Sequence, residues 1–243
     1  MSRTMPTFLM RPALGALAVL VLTSAHAQLT VTPQTDLQQL AASITGPGVQ
    51  ITNPVITCHA SGYGEFTYSG NDMDVDQGVI LTTGRRTDAP GPNNNGGSNW
   101  FAQNTAGDPL LNTVTGRTTM DACKFEFDII PAGDSLSFDF VFASEEYNEW
   151  VGSQYNDVFG FFISGPGIVG DPGAGGAKNI ALVPNTSTAV TINNVNNGSN
   201  SAYYHDNTGG ADLQYDGFTV GLKAKSGDRL PDLPPEAGGG RCQ

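Results

Sequence analysis

Apolar residues fall on alternate positions along much of this chain, the spacing of strands with one covered face. The clearest case is residues 121–129, where Cys123, Phe125, Phe127 and Ile129 form the inward set and Lys124, Glu126 and Asp128 face out. Phe138, Phe140 and Phe142 repeat the pattern, and residues 158–163 are too apolar and aromatic for a surface loop. These last two stretches are expected to form a hairpin-like pair of core strands. The connection between them is polar and carries Glu145, Glu146, Asn148, Glu149, Asn156 and Asp157. Further strands are predicted at 49–51 and 55–56, on either side of Asn53-Pro54, and at 64–68, 79–81, 179–183, 189–192 and 215–222. A single helix is predicted at 35–41, where a cap candidate precedes leucines three apart and Gly46-Pro47-Gly48 closes the segment. It is expected to cover one open end of the strand layers.

Composition fits this reading. The 31 Gly and 15 Pro break any helical periodicity into short pieces. The chain therefore reads as all-β, a β-sandwich (jelly-roll-like) with one short N-terminal helix and long Asn/Gly-rich loops. Residues 1–27 stand apart. Arg3 and Arg11 precede an apolar run, and Ala25-His26-Ala27 ends it in the small-x-small pattern of a signal-peptidase site, so export to the cell surface or medium is expected. Removing this segment, with its two arginines and no acid, leaves 9 basic against 23 acidic side chains, a balance of −14. Such a surface repels nucleic-acid phosphates and anionic membrane, and it favours cations. Roughly 215 residues then remain, enough for one large β domain.

The candidate chemistry lies in the loops. Calcium takes roughly six to eight oxygens from carboxylates, amides and backbone, and Glu145, Glu146, Asn156, Asp157 and Asp216 are candidate ligands. Capping of backbone amides and plain solvation are the alternative for these acids. Only His59 and His205 remain after the signal, and no Cys/His cluster exists for zinc. Trp100 and Phe101 end a long loop at 85–108, where they stack on a sugar or pin the loop to the sandwich; Tyr203 and Tyr204 are further candidate ligand-binding residues. Paired carboxylates among Glu126, Glu145, Glu146 and Glu149 allow a polysaccharide hydrolase as the alternative function. No Gly-x-Ser-x-Gly elbow and no phosphate-binding Gly-Lys-Ser or Gly-Lys-Thr loop is present. A Cys58–Cys123 disulfide is the natural pairing in an exported chain, a buried Cys123 thiol being the alternative.

Ser144-Glu145-Glu146-Tyr147, followed by Tyr155-Asn156-Asp157-Val158-Phe159-Gly160-Phe161-Phe162-Ile163-Ser164-Gly165-Pro166-Gly167, resembles the signature of the choice-of-anchor L domain, a family of bacterial exported domains joined to different C-terminal surface anchors. Gly78–Gly84, Phe125–Asp128, Asn179–Pro184 and Tyr215–Thr219 match in the same order. The export signal, the acidic surface, the absence of a catalytic constellation and this resemblance agree on a non-catalytic surface module for adhesion or for binding a glycan or protein, and the loop acids make calcium its one candidate cofactor. The resemblance implies a domain over 28–222. Where the family continues with a Cys-x-Thr-Tyr-His strand, residues 227–243 have no alternation; a shifted reading frame with permitted codons yields a family-like strand instead. The tail 223–243 is thus expected to be disordered or out of frame. A sandwich strand is expected to be missing with it, along with the anchor that would supply the sole membrane contact.

Overall fold

The computed structural model describes residues 28–94, 96, 103–131, 133–227 and 240–242. In chain order the first half contains β1 (Leu29–Thr32), α1 (Leu37–Ala42), β2 (Val49–Thr57), β3 (Tyr63–Tyr68), β4 (Gln77–Leu81) and α2 (Pro109–Thr115). The second half adds β5 (Lys124–Pro131), β6 (Ser137–Phe140), β7 (Ala143–Ser144), β8 (Phe162–Ser164), β9 (Lys178–Asn179), β10 (Tyr204–Asp206), β11 (Gly217–Thr219), β12 (Leu222–Lys225) and β13 (Gly240–Cys242). Every pairing is antiparallel, in sheets ordered β1-β3-β4, β10-β11-β7, β12-β6 and β2-β5-β13-β8-β9. The architecture is all-β and sandwich-like. Among the described residues no helix is long and apolar enough to cross a membrane.

Alternation in β5 does what the sequence predicts. Phe125, Phe127 and Ile129 are buried, while Lys124, Glu126 and Asp128 remain on the wetter face. Each such side chain contributes about 1.5–3 kcal/mol on leaving water, enough to fix which face of the strand turns inward. They share one core with Leu40 and Ala41 of α1, Phe140, Val190, Ile192 and Leu222. Asp36 caps α1 by accepting from the Gln38 and Gln39 amides. Around Asn53-Pro54 the two expected strands are one, β2, whose register against β5 shifts between Thr52 and Val55, with Asn53 at a positive φ of 51°.

Three expectations change. The stretches 138–142 and 158–163 do not pair as a hairpin. β6 pairs with β12, whereas β8 belongs to the five-stranded sheet. The two stretches face each other across the core instead, with Phe138 on Phe161 at 4.5 Å and Phe140 on Phe159 at 4.7 Å between ring centroids. Aromatic faces, not backbone hydrogen bonds, join them. Second, α2 is a helix the apolar pattern did not reveal. Its signals are terminal: Asp108 accepts from the Leu110 and Leu111 amides, Pro109 opens the first turn, and Gly116 closes the last at φ 66°. Third, the boundary at Leu222 falls at the start of β12, which continues to Lys225. Within the tail, the β13 backbone lies between β5 and β8.

A disulfide joins Cys58, just past β2, to Cys123, just before β5. Its ends are 65 positions apart in sequence, so the closed loop is long. Constraint of the unfolded chain by such a loop is worth about 4 kcal/mol. Chemical denaturation of the C58S/C123S double variant should therefore show a stability lower by roughly that amount, with unchanged far-ultraviolet dichroism in the native baseline.

Candidate functional site

The acidic connection after Phe142 is organised by Tyr147. Its ring is fully buried between Phe142, at 6.4 Å, and Tyr204, at 4.8 Å, and its hydroxyl donates to the Val195 carbonyl at 2.7 Å. Gly217 lies against both tyrosines: a Cβ there would come within 2.7 Å of Tyr204 and 2.9 Å of Tyr147. With no side chain at 217, β11 can pair through Gly217 with Ser144 on one side and with Asp206 on the other. Glu145 and Asp216 are the next residues outward from the Ser144 pairing. Backbone register thus delivers acids from three segments to one end of the small sheet.

The Ser144 hydroxyl holds the opposite end of the connection. It donates to Asp157 Oδ2 at 2.7 Å and accepts from the Glu146 amide at 2.9 Å. Asp157 reaches solvent, and protein crowds around its carboxylate. Crowding pushes its pKa up, and the Ser144 hydrogen bond opposes that shift. Glu146 is pushed up to about 7, first by partial burial and then by the negative charges of Asp157 and Glu149. Asp216 is also raised, by desolvation first and further by Glu149 and Asp206, while an Asn93 hydrogen bond at 2.8 Å pulls the other way. Asp206 is lowered instead, chiefly by hydrogen bonds from Thr208. Glu149 acts on both Glu146 and Asp216, so one exposed carboxylate links the two halves of the cluster.

The candidate residues fare differently. Glu146 feels Asp157 on one side and Glu149 on the other, and Glu149 in turn reaches Asp216; Glu145 is half-buried. Asn156 serves the frame: its Oδ1 accepts from the Asn193 amide at 3.1 Å. Among the described residues no three His, Cys, Asp or Glu side chains stand at the spacing of ligands to one metal ion. Tyr203 and Tyr204 are half-buried and packed on the main core, with the Tyr204 hydroxyl 3.0 Å from Asn148 Oδ1. Trp100 and Phe101 lie outside the described residues. The Asn-rich run after Ile192 turns its amides inward. Asn196 donates to the Ile192 carbonyl at 2.8 Å and accepts from the Gly198 and Ser199 amides.

Sequence reasoning missed the exposed aromatic pair at the rim. Trp150 is 43% exposed and Tyr155 50%, their rings edge to face at 4.8 Å, whereas Tyr147 of the same connection is buried. Two aromatic residues among Glu, Asn, Gly, Ser and Gln, off the period-two pattern, were the available signal. Network asparagines were missed as well: Asn93, buried, ties the Asp216 carboxylate to the Asn207 carbonyl at 3.0 Å.

Comparison with known proteins adds one finding. The family model described as Choice-of-anchor L domain matches residues 29–227, which takes in every element above except β13. No curated protein and no solved structure matches the chain.

The raised Glu146 value fixes the sign of a pH effect. The unfolded chain releases this proton near 4.5 and the folded chain near 7, so folding retains a proton across that window and stability falls as pH rises through it. In EDTA, the melting midpoint should decline between pH 4.5 and 7, with a shallower decline in Glu146→Gln. Parallel profiles for the two proteins would contradict this.

Proposed function

The chain belongs to the choice-of-anchor L domain family, a family of cell-surface modules, and from that membership we propose that it is an exported, non-catalytic module that adheres by binding an extracellular glycan. The observation that carries the reading is the exposed Trp150–Tyr155 pair within the acidic connection. Exposed aromatic surface of this size is unfavourable in water unless it meets a partner. Sugar rings offer flat C–H faces to aromatic planes, and their hydroxyls donate to carboxylates such as Glu149 and Asp206 and accept from amides such as Asn148. The packed Tyr147, Tyr204 and Asn196 network below supports a rim that needs little ordering on binding.

Binding to immobilised glycans should weaken by about tenfold or more in Trp150→Ala, on the order of 1.4 kcal/mol, with folding unchanged. A blank glycan array together with Trp150-dependent adhesion to a protein surface would move the ligand to the protein class. Binding to either that is indifferent to Trp150→Ala would remove the rim from the account.

One observation favours a second reading, a hydrolase. Glu146, pushed up to about 7 beside Asp157 and Glu149, has the protonation behaviour of a general acid near neutral pH. Turnover of a polysaccharide abolished by Glu146→Gln, with substrate binding retained, would establish it. Full turnover in that variant would exclude Glu146 from catalysis.

A further inference from the structure

We propose that the acidic cluster around Asp216 is a calcium site, in which Asp216 supplies a fixed carboxylate and Glu149 and Asp206 close over the ion. It deepens the surface-module reading and rests on it in one respect, that an exported module meets calcium at high concentration. A group of acids alone is an ordinary feature of an acidic protein. What singles this one out is Asp216. The residue is only 7% exposed, and its Oδ2 atom has no hydrogen-bond partner among the described residues, although Oδ1 is held by Asn93. A buried carboxylate oxygen without a donor is costly, and a cation satisfies it directly. Gly96 passes close over this oxygen, where a Cβ would lie 3.4 Å away, so the loop leaves backbone rather than side chain above it.

The remaining geometry agrees. Asp216 is fixed by Asn93 and by the Asn207 amide donating to its main-chain oxygen at 3.0 Å. The charges of Glu149 and Asp206 both reach it, and both residues are exposed, so their side chains have room to adjust. Asn148 Oδ1 and main-chain carbonyls are further neutral oxygens. The donor set is entirely oxygen, which suits calcium and excludes soft-metal preference. His205, the one imidazole near the cluster, is stacked on Phe218 at 4.5 Å. Because no three acids among the described residues stand at coordinating spacing, binding requires the exposed acids to move inward. Calcium tolerates an irregular, partly hydrated shell better than magnesium, which demands a near-octahedral one, and a site assembled in this way belongs in the roughly 0.1–1 mM range of extracellular modules.

Thermal unfolding of the whole protein in EDTA, in millimolar calcium and in millimolar magnesium tests the site. The expected result is a calcium-induced rise of several degrees, a smaller rise with magnesium, and loss of the calcium rise in both Asp216→Asn and Glu149→Gln. Terbium emission sensitised by the neighbouring tyrosines and displaced by calcium should vanish in the same variants. Should Asp216→Asn fail to fold, Glu149→Gln, altered on an exposed side chain, decides. An identical cooperative melt in EDTA and calcium overturns the proposal, as does an undiminished calcium rise in Glu149→Gln. Glycan or protein binding that persists in EDTA while the calcium rise is absent would sink the metal site and leave the module reading intact. A calcium rise without any ligand would do the reverse.

Discussion

The molecule depends on burying Tyr147 whole while satisfying its hydroxyl. An aromatic ring with an unpaired buried hydroxyl would be a liability; the Val195 carbonyl at 2.7 Å removes it. From that anchor the polar connection takes its course. Residues just before Tyr147 are held by the Ser144 hydroxyl, and those just after it spread outward to Trp150. The same ring touches Tyr204 and crowds Gly217, so the strands that carry Asp206 and Asp216 are positioned against it too. One buried side chain thereby sets the distances among acids that come from separate parts of the chain.

Charge then accumulates where packing has put it. Glu146 and Asp216 each feel negative neighbours, with Glu149 common to both. The ion pairs of Lys124 with buried Asp108 and partly buried Glu126, by contrast, show the ordinary arrangement, with opposite charges side by side. Like charges gathered in this way oppose folding, so the cluster is not a stabilising device. The aromatic pair at its rim lies on the same connection, which places apolar and anionic recognition within one short stretch of sequence.

Strand periodicity was legible wherever one face was buried, as in β5, β3 and β4, because alternation follows directly from the pleat. Pairing was not. Phe138, Phe140, Phe159 and Phe161 announce a core without saying whether they meet edge to edge in one sheet or face to face between two, and here they meet face to face. The helix α2 escaped because its threonines and short length hide periodicity, leaving only Asp108, Pro109 and Gly116 as signals. At the site, the sequence supplied Glu146, Asp157 and Asp216 but not Glu149 as their link, since electrostatic reach between loops depends on register and not on spacing. It also drew attention to asparagines as a presented surface, whereas Asn93, Asn193 and Asn196 act as internal struts. Residues after Leu222 were the least readable. With no alternation to follow, neither the continuation of β12 nor the insertion of β13 between β5 and β8 could be anticipated.

The Cys58–Cys123 bond has a mechanical meaning for a module at a cell surface. Tension applied along the backbone enters the disulfide at one sulfur and leaves at the other, bypassing the 65-residue separation that contains β3, β4 and α2. About 220 Å of contour length is withheld from extension, whichever strands yield first. Under shear, the pulled molecule can lengthen only through the segments outside that closed loop, which include the whole acidic connection and its aromatic rim.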